Sequence, residues 1–221
     1  MWWYGDTHSS AQDEEFDRLF RTHTANVYRF LDQPIPQALE HPIKLKAIAP
    51  VAEPTGPIRP TIDGLDTNYY EWLYAGRLDL RKGYSAAHRG QQLLQAFAYG
   101  FDATHMYVRL DLDSAGLQSL AHWRIRVECP DRQAALAIQG HAHQVRTATW
   151  EGKTTQSLSC AYRNILEVAI PNTLLGATPG ETFQLRLVLE DDRQALETYP
   201  TQGSFRLTIP PPDFESHAWS V

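Results

Sequence analysis

The chain reads as mainly β: an antiparallel β-sandwich preceded by an N-terminal α-helical segment. Three observations predict this. From Thr61 onward, apolar residues alternate with polar ones at period two, in short runs. Those runs are separated at even intervals by Gly, Asp or Pro, the turn chemistry of antiparallel sheets packed face to face. Before Pro34, by contrast, the apolar residues recur at helical spacing.

The helical segment comes first. Ser9 or Ser10 is placed to cap a helix, with Ser9-x-x-Gln12 and Ser10-x-x-Asp13 fitting or approaching a capping box. Asp13, Glu14 and Glu15 put negative charge in the first turn, where the helix dipole favours it. Phe16, Leu19, Phe20, His23, Val27, Phe30 and Leu31 then form one stripe, and Pro34 and Pro36 stop the helix. One more short turn is expected over 34–40, with Pro36 near its start. Residues 42–48 alternate and read as a first strand. Pro50, Pro54, Pro57 and Pro60 crowd the next stretch, which can be neither helix nor central strand. It reads as a linker or an extended edge segment. The expected organisation is therefore a helical tail over 1–42, a strand and Pro-rich linker over 43–60, and a sandwich over 61–221.

Within the sandwich, Met106, Val108, Leu110 and Leu112 alternate with His105, Tyr107, Arg109 and Asp111. Trp123, Ile125 and Val127 alternate with Arg124, Arg126 and Glu128; Phe183 to Leu189 and Phe205 to Ile209 repeat the pattern. Further strands are expected over 73–80, 93–101, 134–139, 145–150, 156–162 and 165–170. The strongest hairpin spans 93–112 and turns at Asp102-Ala103-Thr104. Short helical turns are expected near 115–120 and 173–175.

Composition bounds the function. With 221 residues and 43% hydrophobic content the chain can bury a substantial core. A balance of 20 basic against 26 acidic residues gives −6, which argues against nucleic acid as a partner. No apolar run approaches the roughly 18 residues that would span a bilayer, so no membrane partner is expected. No signal peptide is visible, which in a part of a longer chain says nothing of the parent protein; the location is left open, with the cytoplasm favoured. Cys129 and Cys160 lack a metal-site spacing and read as free thiols. The 6 tryptophans and 10 tyrosines suit sugar stacking and a sandwich core equally.

The opening run Trp2-Trp3-Tyr4-Gly5-Asp6-x-His8-Ser9-Ser10 is followed by Glu15, Phe16, Asp17, Leu19, Phe20, Arg21, His23, Asn26, Val27 and Tyr28. It resembles the family 57 glycoside hydrolases, the α-amylase and amylopullulanase-type enzymes, near the end of their catalytic region. The resemblance implies that this chain is the C-terminal part of such a protein, that 1–42 is the tail of the catalytic region, and that the catalytic carboxylates lie upstream. A second resemblance covers the sandwich. Pro60-Thr61-Ile62-Asp63-Gly64 with Tyr70-Glu71-Trp72, the hairpin Tyr99-Gly100-Phe101-Asp102 to Asp111, Glu167-x-x-Ile170-Pro171 and the closing Trp219-Ser220-Val221 are similar to the family 9-like carbohydrate-binding and DOMON-type sandwiches, and to the C-terminal module of glucodextranase. Together these imply a non-catalytic accessory module of an α-glucan-acting hydrolase. Its partners would be starch- or glycogen-like polysaccharide or oligosaccharide and the catalytic domain of the same polypeptide. The alternative they leave open is a structural interdomain module that packs on the catalytic domain and binds no sugar.

Candidate carbohydrate-binding residues are Trp2, Trp3 and Tyr4, which would line the glucan cleft or else pack the helical region; Tyr70 and Trp72, on one side of a strand with Tyr74; and Trp150, at a hairpin tip before Glu151-Gly152. Aromatic faces stack on sugar rings because the axial C–H groups are apolar. Trp123, among arginines, reads as core. Glycoside hydrolysis needs two carboxylates across the scissile bond, and the acidic residues here are scattered; the chain by itself is expected to be inactive. No cofactor is expected. Some of the sandwiches the chain resembles bind structural calcium, which implies at most a structural calcium near Asp63 or Asp66. Asp111-x-Asp113-x-x-Gly116 begins like a calcium loop but has Ala115 at the fifth position and His122 at the twelfth, so the bidentate carboxylate is missing. His141-x-His143 lacks a third ligand. Met106, a haem ligand type in some DOMON relatives, sits on the apolar side of its strand and reads as core.

Overall fold

The computed structural model describes residues 13–39, 51–81, 92–120, 122–141, 144–151, 156–176, 178–191, 194–200, 203–211 and 214. The chain divides into two compact units: Met1–Ala47 with Gly83–Gly90, and Ile48–Lys82 with Gln91–Val221. Trp2, Trp3, Tyr4 and the strand expected over 42–48 lie outside the described residues.

The helical unit contains α1 (Asp13–Phe30), followed by a 3-10 turn at Gln37–Leu39. Arg29 in the last turn complements the helix dipole. The inward side of α1 is polar. Asp17, only 5% exposed, accepts from Arg21 Nε at 2.8 Å, and Arg21 reaches on to the Leu39 carbonyl at 3.5 Å. The apolar stripe is left exposed, from Phe16 and Phe20 to Phe30, which is 90% exposed.

The second unit is the sandwich. Its elements run β1 (Gly76–Asp79), β2 (Leu94–Phe101), β3 (His105–Leu112), α2 (Ser114–Gln118), β4 (Trp123–Cys129), β5 (Ala134–His141), β6 (Gln144–Glu151), β7 (Gln156–Ser157), β8 (Ser159–Tyr162), β9 (Ile165–Pro171), α3 (Asn172–Leu175), β10 (Thr182–Asp191), β11 (Gln194–Tyr199) and β12 (Phe205–Thr208). One sheet has the order β1-β2-β3-β9-β8; the other has β11-β10-β4-β5-β6-β7, with β12 also paired to β10. The pairings are antiparallel. The mainly β reading and the N-terminal helix are both seen.

Alternation decides which side chains meet between the sheets. Phe97, Tyr99, Val108, Leu110, Leu166 and Val168 from the first sheet are buried, as are Trp123, Ile125, Val127, Leu136, Ile138, Leu185 and Leu187 from the second. Rings cross the interface: Phe97 stacks on Phe205 at 6.4 Å, and Trp123 meets Tyr162 edge-on at 5.8 Å. Gly140 is the direct strand partner of Trp123, and a Cβ there would run into the indole, so only glycine lets the ring lie flat across β5. Met106 is core, and Cys129 and Cys160 are free thiols whose pKa values burial pushes up to about 12.

Several expected elements differ. Tyr69–Trp72 is a 3-10 turn, not the start of a strand, because the Asn68 side chain accepts from Tyr70 N at 3.1 Å and bends the backbone there. The strand expected over 73–80 therefore shrinks to β1. The run 156–162 divides at Leu158 into β7 of one sheet and β8 of the other, where the chain crosses the sandwich. Strand β11 is largely exposed over its first half and does not alternate, so periodicity does not mark it. Residues 51–60 belong to the sandwich unit: Ile58 is 2% exposed and its N–H donates to the Phe101 carbonyl at 3.0 Å.

Candidate functional site

The outer face of the five-stranded sheet carries a row of partners across its strands: Arg77, Ala98, Arg109, Glu167 and Ala161. Glu167 is fully buried and Arg109 nearly so, at 0% and 6% exposure. Charged residues in mid-strand need partners when covered, and the segment 51–74 supplies both the cover and the partners.

Glu167 fastens that segment. One carboxylate oxygen accepts from the backbone N–H groups of Gly64 at 2.9 Å and Asp63 at 3.2 Å; the other accepts from the Trp72 indole at 2.9 Å. Burial pushes the Glu167 carboxyl above its ordinary value, and the bonds from Gly64, Trp72 and Asp63 pull against that. Gly64 sits at φ +77, and a Cβ on it would lie 2.7 Å from the Arg163 backbone nitrogen, so the docking point requires glycine. Its carbonyl in turn accepts from Asn164 N at 2.8 Å and Ile165 N at 3.2 Å.

Asp66 continues the network. It takes two bonds from the Arg109 guanidinium, at 3.0 and 3.1 Å, while Arg109 Nε donates to Asp111 at 2.7 Å and Arg77 donates to Asp111 at 2.8 Å. The bond from Arg109 holds the Asp66 carboxyl below the usual range. The Asp63 side chain accepts from Leu65 N at 2.8 Å. An ion near Asp66 would have to displace the bidentate arginine. Among the described residues no cluster of three His, Cys, Asp or Glu side chains is arranged to hold a metal. His122 and His141 stand ring to ring at 5.5 Å; His143 lies outside the described residues.

On this anchored segment the aromatics separate by role. Trp72 is half-buried and committed to Glu167. Tyr69 and Tyr70 are each 74% exposed and meet edge to face at 5.7 Å. Tyr74 is half-exposed, with Gly56 against its ring. The expectation that Tyr70, Trp72 and Tyr74 share one side of a strand is corrected by the 3-10 turn.

Trp150 is also corrected. It is 3% exposed, directed inward beside Ala148 and paired across the ladder with Leu136 and Gln156. The strand does not end bare at this residue, because β7 covers it, and no face of the indole is open to a sugar. Trp123, at 2% exposure, is core as expected.

No known family model, curated protein or solved structure matches the chain. Among the described residues, no helix is long and apolar enough to cross a membrane.

The sequence offered Asp66 only as a possible calcium position and Glu167 only as part of a resemblance, and did not single out Arg109; the network they form was not read from it. One signal was available: Arg109 and Glu167 interrupt strands whose outer-face neighbours are alanines, Ala98, Ala161 and Ala169. Charge set among small residues marks a sheet face that another segment covers.

Proposed function

We propose that the sandwich is a non-catalytic accessory module of an α-glucan-acting glycoside hydrolase of the family 57 type, and that it binds starch- or glycogen-like chains through Tyr70 and Tyr69. The observation that carries this reading is the pair of tyrosines exposed on a turn whose base is fixed by buried hydrogen bonds. A preorganised aromatic surface loses little entropy on binding, and each tyrosine offers an apolar face with a hydroxyl at its rim. Trp72 serves this surface as its anchor. The parent activity rests on the resemblance of the opening run to family 57 enzymes.

The test is retention on insoluble starch and amylose. The chain should be retained, and Tyr70→Ala should weaken retention by about tenfold, or about 1.4 kcal/mol, with the fold intact by circular dichroism. Absence of retention would reject sugar binding.

A second reading has its own support. The exposed stripe on α1 (Phe16, Phe20, Val27, Phe30 and Leu31) is a surface that soluble chains rarely leave bare. It favours a structural module whose helical unit docks on the catalytic domain of the same polypeptide. The two readings are compatible, since they use different units of the chain.

A further inference from the structure

The outer face of the seven-stranded sheet carries a second, separate constellation. Strand register puts Arg186, Glu128, Ala135 and Glu151 in one row across β10, β4, β5 and β6. The neighbouring row holds Arg126 and Ala137. Charged side chains on β4 and Glu151 on β6 thus flank the start of β5, where Ala135 and Ala137 present methyl groups. The result is a recess of about 340 Å³, lined by Arg126, Glu128, Gln133, Ala135, Glu151 and Arg186 among others. That is near the lower end of small-molecule sites, which run on the order of 300–1,000 Å³.

Most of the charge in this face is already paired. Arg124 makes a two-bonded pair with Glu151, at 3.0 and 3.1 Å, and lies 3.9 Å from Glu190. Arg126 pairs with Glu128 at 3.0 Å and lies 3.9 Å from Glu190. Arg186 is different. It makes no ion pair with any described residue; its Nε is buried with no hydrogen-bond partner among the described residues, as are the Nε atoms of Arg124 and Arg126, which do make ion pairs. Arg186 is half-buried beside this open recess and brings its positive charge there without a carboxylate partner of its own among the described residues. At the rim, Gln133 is held at φ 52 and ψ 40, a left-handed conformation uncommon for a residue other than glycine.

We infer that this recess binds a small saccharide carrying one oxyanion, with Arg186 as the anion's partner and Gln133, Glu128 and Glu151 facing its hydroxyls. Guanidinium groups match carboxylate and phosphate in a two-bonded fork. The carboxylates and the amide supply acceptors and donors for a polyhydroxylated body, and the small Ala135 side chain leaves room for it at the floor. The shared chemistry is the oxyanion on a sugar, which a phosphate ester or a uronic acid would each supply. The inference is independent of the tyrosine surface.

Calorimetric titration of the full chain with glucose 6-phosphate, glucuronate, glucose and inorganic phosphate tests it. At least one of the two anionic sugars should bind, and which one binds identifies the source of the oxyanion. Arg186→Gln should weaken that binding at least tenfold while circular dichroism and the melting temperature stay near wild type. Ala135→Leu, which fills the floor and leaves Arg186 in place, should also abolish it. Failure of both anionic sugars to bind would overturn the inference. So would glucose binding as well as either of them, inorganic phosphate binding as tightly, or Ala135→Leu leaving the affinity unchanged.

Discussion

Glu167 carries more of the candidate site than any other residue, and its energetics set opposing terms against each other. Its carboxylate is fully buried, which disfavours the charge, yet it satisfies three donors that would otherwise be orphaned. Glu167→Gln keeps the shape but turns an amide NH₂ toward either the Trp72 indole or the Asp63 and Gly64 amides. Leaving a buried donor unsatisfied costs about 1–3 kcal/mol, and that loss should outweigh the relief of desolvation. The expected outcome is a lower melting temperature and a 61–74 segment that exchanges amide hydrogens faster.

The pH dependence follows from the direction of the shift. A carboxyl raised by folding is protonated in the native state before the unfolded chain takes up the proton. Its contribution to stability therefore grows as pH falls through the raised value toward the ordinary 4.5, and is lost as pH rises. The gap in melting temperature between wild type and Glu167→Gln should widen as pH is lowered from neutrality toward 4.5. A gap that narrowed over that range would contradict the assignment. Asp66, held low by Arg109, works the other way, and its contribution is lost only as pH falls below the ordinary carboxylate value. The pairing itself was not legible in the sequence, because Glu167 and Trp72 are 95 residues apart and no local pattern joins them.

Among the elements, period-two alternation marked β3, β4, β10 and β12 because apolar residues fill one side of each strand and mostly polar ones the other. It failed where a local hydrogen bond outcompeted the ladder, as Asn68 does at Tyr69–Trp72, and where a strand lies largely outside the core, as β11 does. Trp150 was misplaced for a related reason. The Glu151-Gly152 pair suggests a bare tip, but β7 extends the sheet over the strand end. Trp150→Ala should cost about 3–5 kcal/mol by opening a cavity between the sheets, measured by denaturant unfolding. Gly140→Ala should cost roughly 1–3 kcal/mol, because the new methyl forces the Trp123 ring out of its rotamer. Both substitutions lie away from the tyrosine turn, so glucan affinity should survive wherever the fold does.

Among the described residues, the tyrosine turn, the arginine recess and the apolar stripe of α1 are the surfaces we propose to meet a ligand or partner. The sandwich class was readable because turn spacing and alternation agree along the chain. The proposed binding surfaces were readable only in part. Tyr70 was picked out as an aromatic in excess of what one strand face can bury, and it is exposed; Trp72 belongs to the same cluster but faces inward. On α1, Phe30→Ser should change stability by no more than about 0.5 kcal/mol, since the ring already lies in solvent. In a longer polypeptide that carries the catalytic domain, the same substitution should lower the melting temperature if the stripe is its docking surface.

The central claim is that the tyrosine turn binds α-glucan, and calorimetric titration of the chain with maltoheptaose tests it most directly, beside the double substitution Tyr69→Ala with Tyr70→Ala. The account predicts saturable binding by the wild-type chain and at least a tenfold loss in the variant, with unchanged melting temperature. Equal affinity in the two, or no binding by either, would contradict it and leave docking on a catalytic domain as the role of the module.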